Sequence, residues 1–365
     1  MHMILLLVIQ HTYPLKYNMI INFFKKLLYA IMLYLKQFMS KNEKEIFDEN
    51  HNYDYVSYTE DEEEANINET DYSLKYLTFV ALEDGMFSWS GFSNAEYEVD
   101  NKISYSLDEG ETWSEPQTIV DLQVHAGDRV MWKGDEMQTL NEGMLFVNGV
   151  GIFRASTCQF DVEGNIMSLI HGDDFQTNSQ LTGDFMFMEL FKDTKVVNAQ
   201  NLVLPSMTMK MMCYSNMFDN CIYLLTSPLI LPTIVFNPNP SSMGMETLGC
   251  YSYMFNGCTN LKTTPILPAT ALTENCYQYM FQDCISLLKA PELNATLVSP
   301  QAYYKMFQGC TKLKWIKMLG TNLKTNALKD FTNGVAAQGL FIKSANAQLE
   351  TGINGIPNDW EVENV

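Results

Sequence analysis

The chain has 365 residues, of which 47% are hydrophobic, so it can form two or three domains with sizeable cores. Its net charge of −20 is concentrated near the N-terminus, since residues 43–71 carry twelve acidic side chains. Residues 201–330 hold nine lysines against six acidic residues, and the whole chain has two arginines, Arg129 and Arg154. Nucleic-acid binding is not expected, because neutralising phosphates requires a clustered basic surface.

The first 72 residues are predicted to lie outside the packed part of the protein. Residues 1–38 contain two short apolar runs, and neither reaches the roughly 18–20 residues of a membrane-spanning helix. This hydrophobic leader is interpreted either as a signal or membrane anchor or as upstream sequence ahead of a true start at Met39. Residues 39–72 are acidic, rich in Asn and poor in Gly and Pro, which predicts a disordered tether. Contact with a membrane is expected only through the leader.

Residues 73–175 show the period-two alternation of short β-strands. Apolar residues alternate over residues 77–81, and residues 124–132 indicate a strand, a turn and a second strand. Glu163-Gly164-Asn165 is typical of a hairpin turn between the apolar segments on either side of it. We therefore expect an all-β module of six to eight short strands with a β-sandwich-like fold.

One phrase in this module, Ser106-Leu-Asp108-Glu-Gly110-Glu-Thr-Trp113, resembles the Asp-box of sialidases and related propellers. The resemblance implies a β-hairpin brace in which Ser106 and Asp108 hold the turn, Gly110 takes a positive φ and Trp113 packs beneath. Sialidases repeat the box several times and clamp the substrate carboxylate with three arginines, whereas this chain has one box and two arginines. A structural role is therefore expected instead of sialidase activity.

Other catalytic patterns are missing from the sequence, which has no nucleophile elbow, zinc-protease motif or phosphate-binding loop. His171-Gly-Asp173-Asp174 could hold a cation through its carboxylates, and a solvated turn is the expected alternative. We expect no catalytic residue, no metal site and no cofactor.

The most specific feature is a phrase that occurs four times between Cys213 and Leu313: a small residue, Tyr, two variable residues, Met-Phe, two more, Cys, two more, Leu. The copies at Cys250, Cys276 and Ala302 begin 26 residues apart, and the first begins 37 residues before the second. A fixed period of this size predicts a stacked repeat array. The predicted structural core of the repeats consists of Cys213, Tyr214, Met217, Phe218, Cys221, Cys250, Tyr251, Met254, Phe255, Cys258, Cys276, Tyr277, Met280, Phe281, Cys284, Tyr303, Met306, Phe307 and Cys310.

Within each phrase the apolar side chains recur every four residues, which predicts one or two helical turns followed by a short extended segment bounded by proline. The predicted fold class is therefore α+β, with the β-sandwich-like module followed by a short leucine-rich-repeat-type solenoid with caps. Because Ala302 replaces the first cysteine in one copy, both cysteine columns are interpreted as ladders of small buried hydrophobic residues. Metal binding is the alternative.

The flanks of the phrase predict the limits of the array. Leu190-Phe191-Lys-Asp-Thr194 is interpreted as a degenerate leading repeat, since eleven residues separate Thr194 from Pro205 and also Cys221 from Pro232. We place the repeats at residues 176–330, and a C-terminal cap at residues 331–365, where the phrase is lost.

The core Met-Phe-x-x-Cys-x-x-Leu resembles the repeats of BspA-like leucine-rich proteins, most closely at Phe255-Asn-Gly257-Cys258 and Phe307-Gln-Gly309-Cys310. Members of that family are largely surface-exposed bacterial proteins implicated in adhesion, and similar arrays occur on phage virion proteins. The resemblance implies a non-enzymatic, surface-displayed recognition or adhesion protein, extracellular or on a virion, that binds a host or bacterial surface protein or glycan. A phage virion structural protein, such as a fibre or capsid decoration involved in host attachment, is the alternative.

The gap between the first two phrases exceeds the period by eleven residues. Insertions in solenoids map to loops on one face, which is often the binding face. We interpret this loop as a candidate binding segment, with a neutral insertion as the alternative. The candidate binding residues are Phe236, Asn237, Asn239, Ser241, Ser242 and Met243.

Overall fold

The computed structural model describes residues 70–91, 93–94, 99–134, 137, 150–205, 208–232 and 248–365. The predicted leader and nearly all of the predicted tether lie outside these residues. Glu69–Val365 form one compact unit. Among the described residues, no helix has the length and apolar character that crossing a membrane requires.

The described residues are mostly β-strands and turns. The only α-helix among them is a single turn, α1 (Ser168–His171), and 3-10 turns occupy Tyr72–Leu74 and Gly172–Asp174. The helical part of the predicted α+β class is therefore wrong. The strands are β1 (Leu77–Ala81), β2 (Gly85–Gly91), β3 (Ser93–Asn94), β4 (Val99–Asp100), β5 (Ile103–Ser106), β6 (Ile119–Val124), β7 (Arg129–Gly134), β8 (Gly151–Ile152), β9 (Phe160–Asn165), β10 (Val196–Asn198), β11 (Leu202–Val203), β12 (Ala271–Leu272), β13 (Leu297–Val298), β14 (Trp315–Met318), β15 (Asn322–Leu323), β16 (Leu340–Lys343) and β17 (Glu361–Asn364).

The part of the chain predicted as the β-rich module, residues 73–175, is called the front part from here on. Its longer strands alternate between two antiparallel sheets. In the first sheet β1 pairs with β7 and β9, and β5 pairs with β7. In the second sheet β2 pairs with β6 and β8. The predicted strands on either side of Ala126-Gly127, β6 and β7, are both present and lie in different sheets. The β-rich character of this part is therefore confirmed, whereas its description as a β-sandwich stays a prediction.

The predicted hairpin at Glu163-Gly164-Asn165 is wrong. Strand β9 continues through all three residues, and α1 follows where a second strand was expected. Gly164 has a φ of 85°, and a Cβ atom there would lie 2.0 Å from the carbonyl oxygen of Tyr76. The glycine therefore permits a close backbone approach at the edge of the strand and does not form a turn.

An aromatic cluster connects the two front sheets with the array. The ring centroid of Phe79 on β1 lies 5.2 Å from that of Phe87 on β2 and 4.7 Å from that of Phe153. Phe153 stacks in turn on Phe191, at the start of the array, with centroids 5.9 Å apart. All four side chains are fully buried, and each contributes about 1.5–3 kcal/mol by leaving water. The front part and the array thus share one continuous core.

Beyond the front part the chain forms a β-solenoid of about four turns. Its first strands, β10 and β11, pair in parallel with β9, so the array begins on the edge of the first front sheet. Parallel pairing connects later coils in two further sheets, β12–β13–β15 and β14–β16–β17. The last of these sheets ends the array, and the indole of Trp360 donates a hydrogen bond to the Ala336 carbonyl oxygen at 2.8 Å.

The repeated phrase forms a chain of turns where a helix was predicted. In the coil that begins at Cys276, positive φ angles occur at Asn275, Tyr279 and Asp283, and such angles interrupt a right-handed helix. Backbone N–H groups alternate between two kinds of partner along these segments. The Met280 N–H bonds to the Tyr277 carbonyl three residues back, while the Tyr277 N–H bonds to the next coil. A four-residue spacing of apolar side chains fits both arrangements, which is why the helical prediction failed.

The same turns continue on both sides of the four full phrases. Glu189 and Asp193 have positive φ, and the ring of Phe191 stacks on Phe218 at 5.3 Å, in the register predicted for the leading repeat. After the last phrase, positive φ angles recur at Asn326, Asp330 and Gly334, although the sequence no longer matches.

Candidate functional site

The repeated side chains of the array point inward. Every residue of the predicted repeat core is at most 1% exposed. The tyrosines and phenylalanines form two separate stacks, as in Tyr214–Tyr251 with ring centroids 5.7 Å apart and Phe218–Phe255 at 5.5 Å. Parallel stacking of this kind stabilises successive coils beyond the burial of apolar area. These residues define the fold, so a binding site must use the residues between them.

The first cysteine column is a buried, unreactive ladder. Cys213, Cys250 and Cys276 are fully buried, and Ala302 continues the column. Burial raises the pKa of the Cys213 and Cys250 thiols well above the ordinary value. The thiolate, which is the form that attacks electrophiles or binds metals, is therefore disfavoured. Among the residues that the structure describes, no three His, Cys, Asp or Glu side chains are grouped so as to hold a metal ion.

The second cysteine column is fully buried as well, and in addition it links the coils by hydrogen bonds. The Cys284 thiol donates to the Phe255 carbonyl oxygen of the preceding coil at 3.1 Å. In the leading repeat, the Thr194 hydroxyl donates to the Phe191 carbonyl oxygen at 2.7 Å. The column therefore selects small side chains that donate a hydrogen bond. The same bond to a preceding coil is made by Cys221, Cys258 and Cys310.

On the outer side of the turns, Tyr253, Tyr279, Tyr304, Lys305 and Lys329 form a patch that we call the tyrosine–lysine surface. The rings of Tyr253 and Tyr279 stack with centroids 4.2 Å and planes 11° apart. The centroids of Tyr279 and Tyr304 are 5.1 Å apart, and these rings are nearly perpendicular. The tyrosines and Lys305 are half-buried, and Lys329 is exposed. Because these residues come from successive coils, the surface runs along the array.

The two lysines lie against the tyrosine rings. The Lys305 Nζ is 5.6 Å from the Tyr279 ring centroid and 5.3 Å from that of Tyr304, and the Lys329 Nζ is 5.7 Å from Tyr304. These are cation–π contacts. Burial, followed by a hydrogen bond with Tyr304, raises the pKa of Tyr279. Its hydroxyl group therefore stays protonated, and it is hydrogen-bonded to the neighbouring tyrosines of the surface.

Three residues of this surface have a backbone conformation that disfavours large side chains, and Phe185, Met212 and Gln301 elsewhere in the array have it too. Tyr253, Tyr279 and Lys305 have φ angles of 59°, 58° and 54°. This region favours Gly, Asn and Asp, and other residues adopt it at a cost. The equivalent positions in the first full coil and after the last one hold Asn216 and Asp330, which suit the backbone better. Folding alone therefore does not select tyrosine or lysine at these positions.

The coils next to the front part carry an ion-pair network instead. The Lys192 Nζ lies 3.0 Å from a Glu189 carboxylate oxygen and 3.2 Å from one of Asp219. The Arg154 guanidinium lies 3.1 Å from Glu189 and 3.2 Å from Asp193. These charges compensate one another within the protein, which makes this region a weaker candidate for a ligand site.

The Asp-box forms the brace that its sequence predicts. Asp108 accepts hydrogen bonds from the Thr112 N–H at 2.9 Å and the Ser106 hydroxyl at 2.7 Å, and the Gly110 N–H donates to Ser106 Oγ at 2.9 Å. Gly110 has a φ of 92°. The bonds from Thr112, more than that from Ser106, lower the pKa of Asp108 to about 2. The polar groups of the box are thus used by the turn itself.

The Lys133 side chain contacts both Trp113 of the box and Asp173. The Lys133 Nζ is 4.3 Å from the Trp113 ring centroid and 2.8 Å from Asp173 Oδ1. The Tyr76 hydroxyl donates to the same carboxylate at 2.7 Å. The hydrogen bond from Lys133, with that from Tyr76, lowers the pKa of Asp173. The carboxylate that was considered for cation binding is therefore paired inside the protein.

The candidate binding loop lies in the stretch 233–247, outside the described residues. The structure describes the point where it leaves the array, since the buried Tyr251 hydroxyl donates to the Pro232 carbonyl oxygen at 2.7 Å. The predicted residues that fall in this stretch are Phe236, Asn237, Asn239, Ser241, Ser242 and Met243.

The tyrosine–lysine surface was not identified from the sequence, although a signal for it exists. The residue just before the phrase's Met changes from Asn216 to Tyr253, Tyr279 and Lys305 while its neighbours repeat. A position that varies within a fixed phrase is free to carry specificity. No family profile matches this chain, and no curated protein or solved structure matches it at a significant level.

Proposed function

We propose that this protein is a non-enzymatic, surface-displayed recognition or adhesion protein that binds a protein or glycan partner through its array. The observation that supports this most directly is the tyrosine–lysine surface. Three of its five residues, Tyr253, Tyr279 and Lys305, occupy backbone positions that disfavour their side chains, and strained residues of this kind concentrate at functional sites. Half-buried tyrosines held by their neighbours also lose little conformational entropy when a partner binds.

The placement of the nucleophilic side chains also supports a binding role. The cysteines of the array are fully buried behind the two aromatic stacks. The turns present aromatic, amide, ammonium and carboxylate groups outward, and such groups recognise partners without forming covalent bonds. These side-chain groups, and not the fold, support the proposed function.

We also propose that the array is a BspA-like leucine-rich repeat array carried by a β-sandwich-like front part. The assignment of the array to BspA-like repeats is supported because one copy of Met-Phe-x-x-Cys-x-x-Leu corresponds to one turn segment of the solenoid. The β-sandwich-like description of the front part is supported because its two antiparallel sheets pack on a common aromatic cluster.

Where the protein is displayed, on a cell or on a virus particle, is a separate proposal. A bacterial cell surface is the first candidate, and a phage virion, where the protein would serve in host attachment, is the second. Immunogold electron microscopy of cells and of purified particles from the source culture distinguishes them, because the label would lie on only one of the two.

The test of recognition is a binding screen of the full-length protein against glycans and purified surface proteins. We expect at least one ligand whose affinity falls about tenfold or more in the double variant Tyr253→Asn/Tyr279→Asn. The control is Tyr223→Asn, which changes a tyrosine that is 37% exposed on the array outside the tyrosine–lysine surface. Ligands that bind the double variant as tightly as the wild type would contradict the proposed site.

A further inference from the structure

We propose that the tyrosine–lysine surface binds an acidic glycan, meaning a saccharide chain that carries carboxylate groups. The inference rests on the proposed recognition function and narrows its partner class. Three properties of the surface point to this ligand. Its lysines form no ion pair among the described residues, amide side chains lie beside its rings, and the spacing between its coils is close to the length of one sugar unit.

The lysines of the surface have no acidic partner in the described part of the chain. Lys305 and Lys329 contact tyrosine rings and form no ion pair there, whereas Lys192, Lys133 and Lys317 are each paired with a carboxylate. Because no carboxylate of the described residues neutralises these ammonium groups, their charge can attract an anion. Two such groups in adjacent coils fit a ligand with negative charge.

Most polar side chains beside the rings are uncharged amides that can both donate and accept hydrogen bonds, and the carboxylates in these turn segments are Asp283 and Asp330. Half-buried amides at Gln278, Gln282 and Gln308 belong to the same turn segments as Tyr279 and Tyr304. Among the described residues, the Gln308 side-chain carbonyl oxygen is buried without a hydrogen-bond partner. Sugar hydroxyls also donate and accept, and the C–H faces of a sugar ring pack on aromatic rings. This combination matches a saccharide better than it matches a hydrophobic peptide.

The repeat distance favours a glycan over an acidic peptide. On the surface, the equivalent rings of Tyr253 and Tyr279 are 4.2 Å apart, and Tyr304, which occupies a different position in its coil, lies 5.1 Å from Tyr279. In the buried stack, the equivalent rings of adjacent coils are 5.4 Å apart at Phe255–Phe281. This is close to the length of one pyranose unit in an extended chain. An extended peptide rises about 3.3 Å per residue, so its side chains on one side recur at roughly 6.6 Å and lose register with the coils. A glycan can therefore place successive sugars on successive coils.

The experiment measures binding of the full-length protein to acidic oligosaccharides and to their neutral counterparts. The probes are oligomers of polygalacturonic acid, hyaluronan and polysialic acid, each compared by calorimetry with the same oligomer after methyl esterification. We expect at least one acidic oligomer to bind about tenfold or more tightly than its ester. The affinity should also fall with added salt, because exposed charges are screened.

Two sets of variants assign the binding to this surface. Tyr253→Asn/Tyr279→Asn should weaken binding of the acidic oligomer about tenfold or more, and Lys305→Gln/Lys329→Gln should abolish the preference for acid over ester. The tyrosine variants should keep their Tm, because Asn216 already occupies the equivalent backbone position. The controls Tyr223→Asn and Lys312→Gln, which are exposed outside the surface, should bind as the wild type does.

The outcomes separate this inference from the function on which it rests. Binding of a neutral glycan or an acidic peptide that is lost in the tyrosine variants would overturn the inference and leave recognition at this surface intact. No ligand of any class would overturn both. Acidic-glycan binding that survives both sets of variants would overturn the assignment to this surface and leave recognition by another part of the protein intact.

Discussion

Asp108 carries a measurable sign of the Asp-box hairpin. Its pKa is lowered from the ordinary 3.8 to about 2 by hydrogen bonds from Thr112 and Ser106. The charged form therefore stabilises the hairpin above the ordinary pKa, and this contribution is lost as the pH falls through about 2. An NMR titration should place the carboxyl midpoint near 2, and Thr112→Val should move it upward. A midpoint that does not respond to Thr112→Val would show that these bonds are not formed.

The two cysteine columns should respond differently to truncation. Cys276→Ala should lower the free energy of unfolding by about 1 kcal/mol or less, because Ala302 already fills that column. Cys284→Ala removes a thiol that donates to the Phe255 carbonyl oxygen, and it should cost about 1 kcal/mol more. The extra cost is moderate because that oxygen also accepts the Cys258 N–H at 3.2 Å.

Urea unfolding of the two cysteine variants measures this difference, and Cys284→Ser provides the control. Serine keeps a donor in the second column, as Thr194 does in the leading repeat, so it should recover part of the stability lost in Cys284→Ala. Equal stability of the Cys276→Ala and Cys284→Ala proteins would contradict the hydrogen-bonded ladder.

At the scale of the elements, the sequence predicts the stacking of the array better than the conformation of its coils. The phrase and its 26-residue period identify the inward side chains, because burial requires a repeated apolar set. The helix prediction failed because the residues that indicate turns are the polar ones between the inward side chains. The position just before the second cysteine column holds residues that tolerate a positive φ in every phrase, namely Asn220, Gly257, Asp283 and Gly309.

Gly309 tests the turn conformation directly. Its φ is 79°, and an added Cβ atom would lie 2.0 Å from a carboxylate oxygen of Asp283, which can move, and 3.4 Å from the Asp283 Cα. Gly309→Val should lower the free energy of unfolding by about 1–3 kcal/mol, because a β-branched residue is strained at positive φ. Gly309→Asn should cost less, since Asn220 occupies the same column. Thermal unfolding compares them, and equal losses would argue for a helix-like backbone at this position.

At the scale of the whole molecule, the sequence predicts a front part and an array and does not predict their connection. The boundary near residue 175 was placed where the alternation of strands gives way to the repeats. In the structure, Phe191 of the leading repeat lies 5.8 Å from Phe79 and 5.9 Å from Phe153 of the front part, measured between ring centroids. The contact with Phe79 joins residues 112 positions apart in the sequence, and the contact with Phe153 joins residues 38 positions apart. Local patterns carry no information about pairings of this kind.

Phe191 should therefore control the stability of both parts. Its ring lies between the Phe153 and Phe218 rings and is fully buried, so Phe191→Ala should lower the free energy of unfolding by about 3–5 kcal/mol. Leu288→Ala, at a side chain that is 50% exposed, is the control and should change little.

Hydrogen exchange measured by mass spectrometry should show protection falling together in β1, β9 and the first full coil. Solenoid coils can unfold one at a time, since each contacts only its neighbours. Loss of protection in the coil with β1 and β9 unchanged would mean that the array and the front part unfold separately in spite of their shared core.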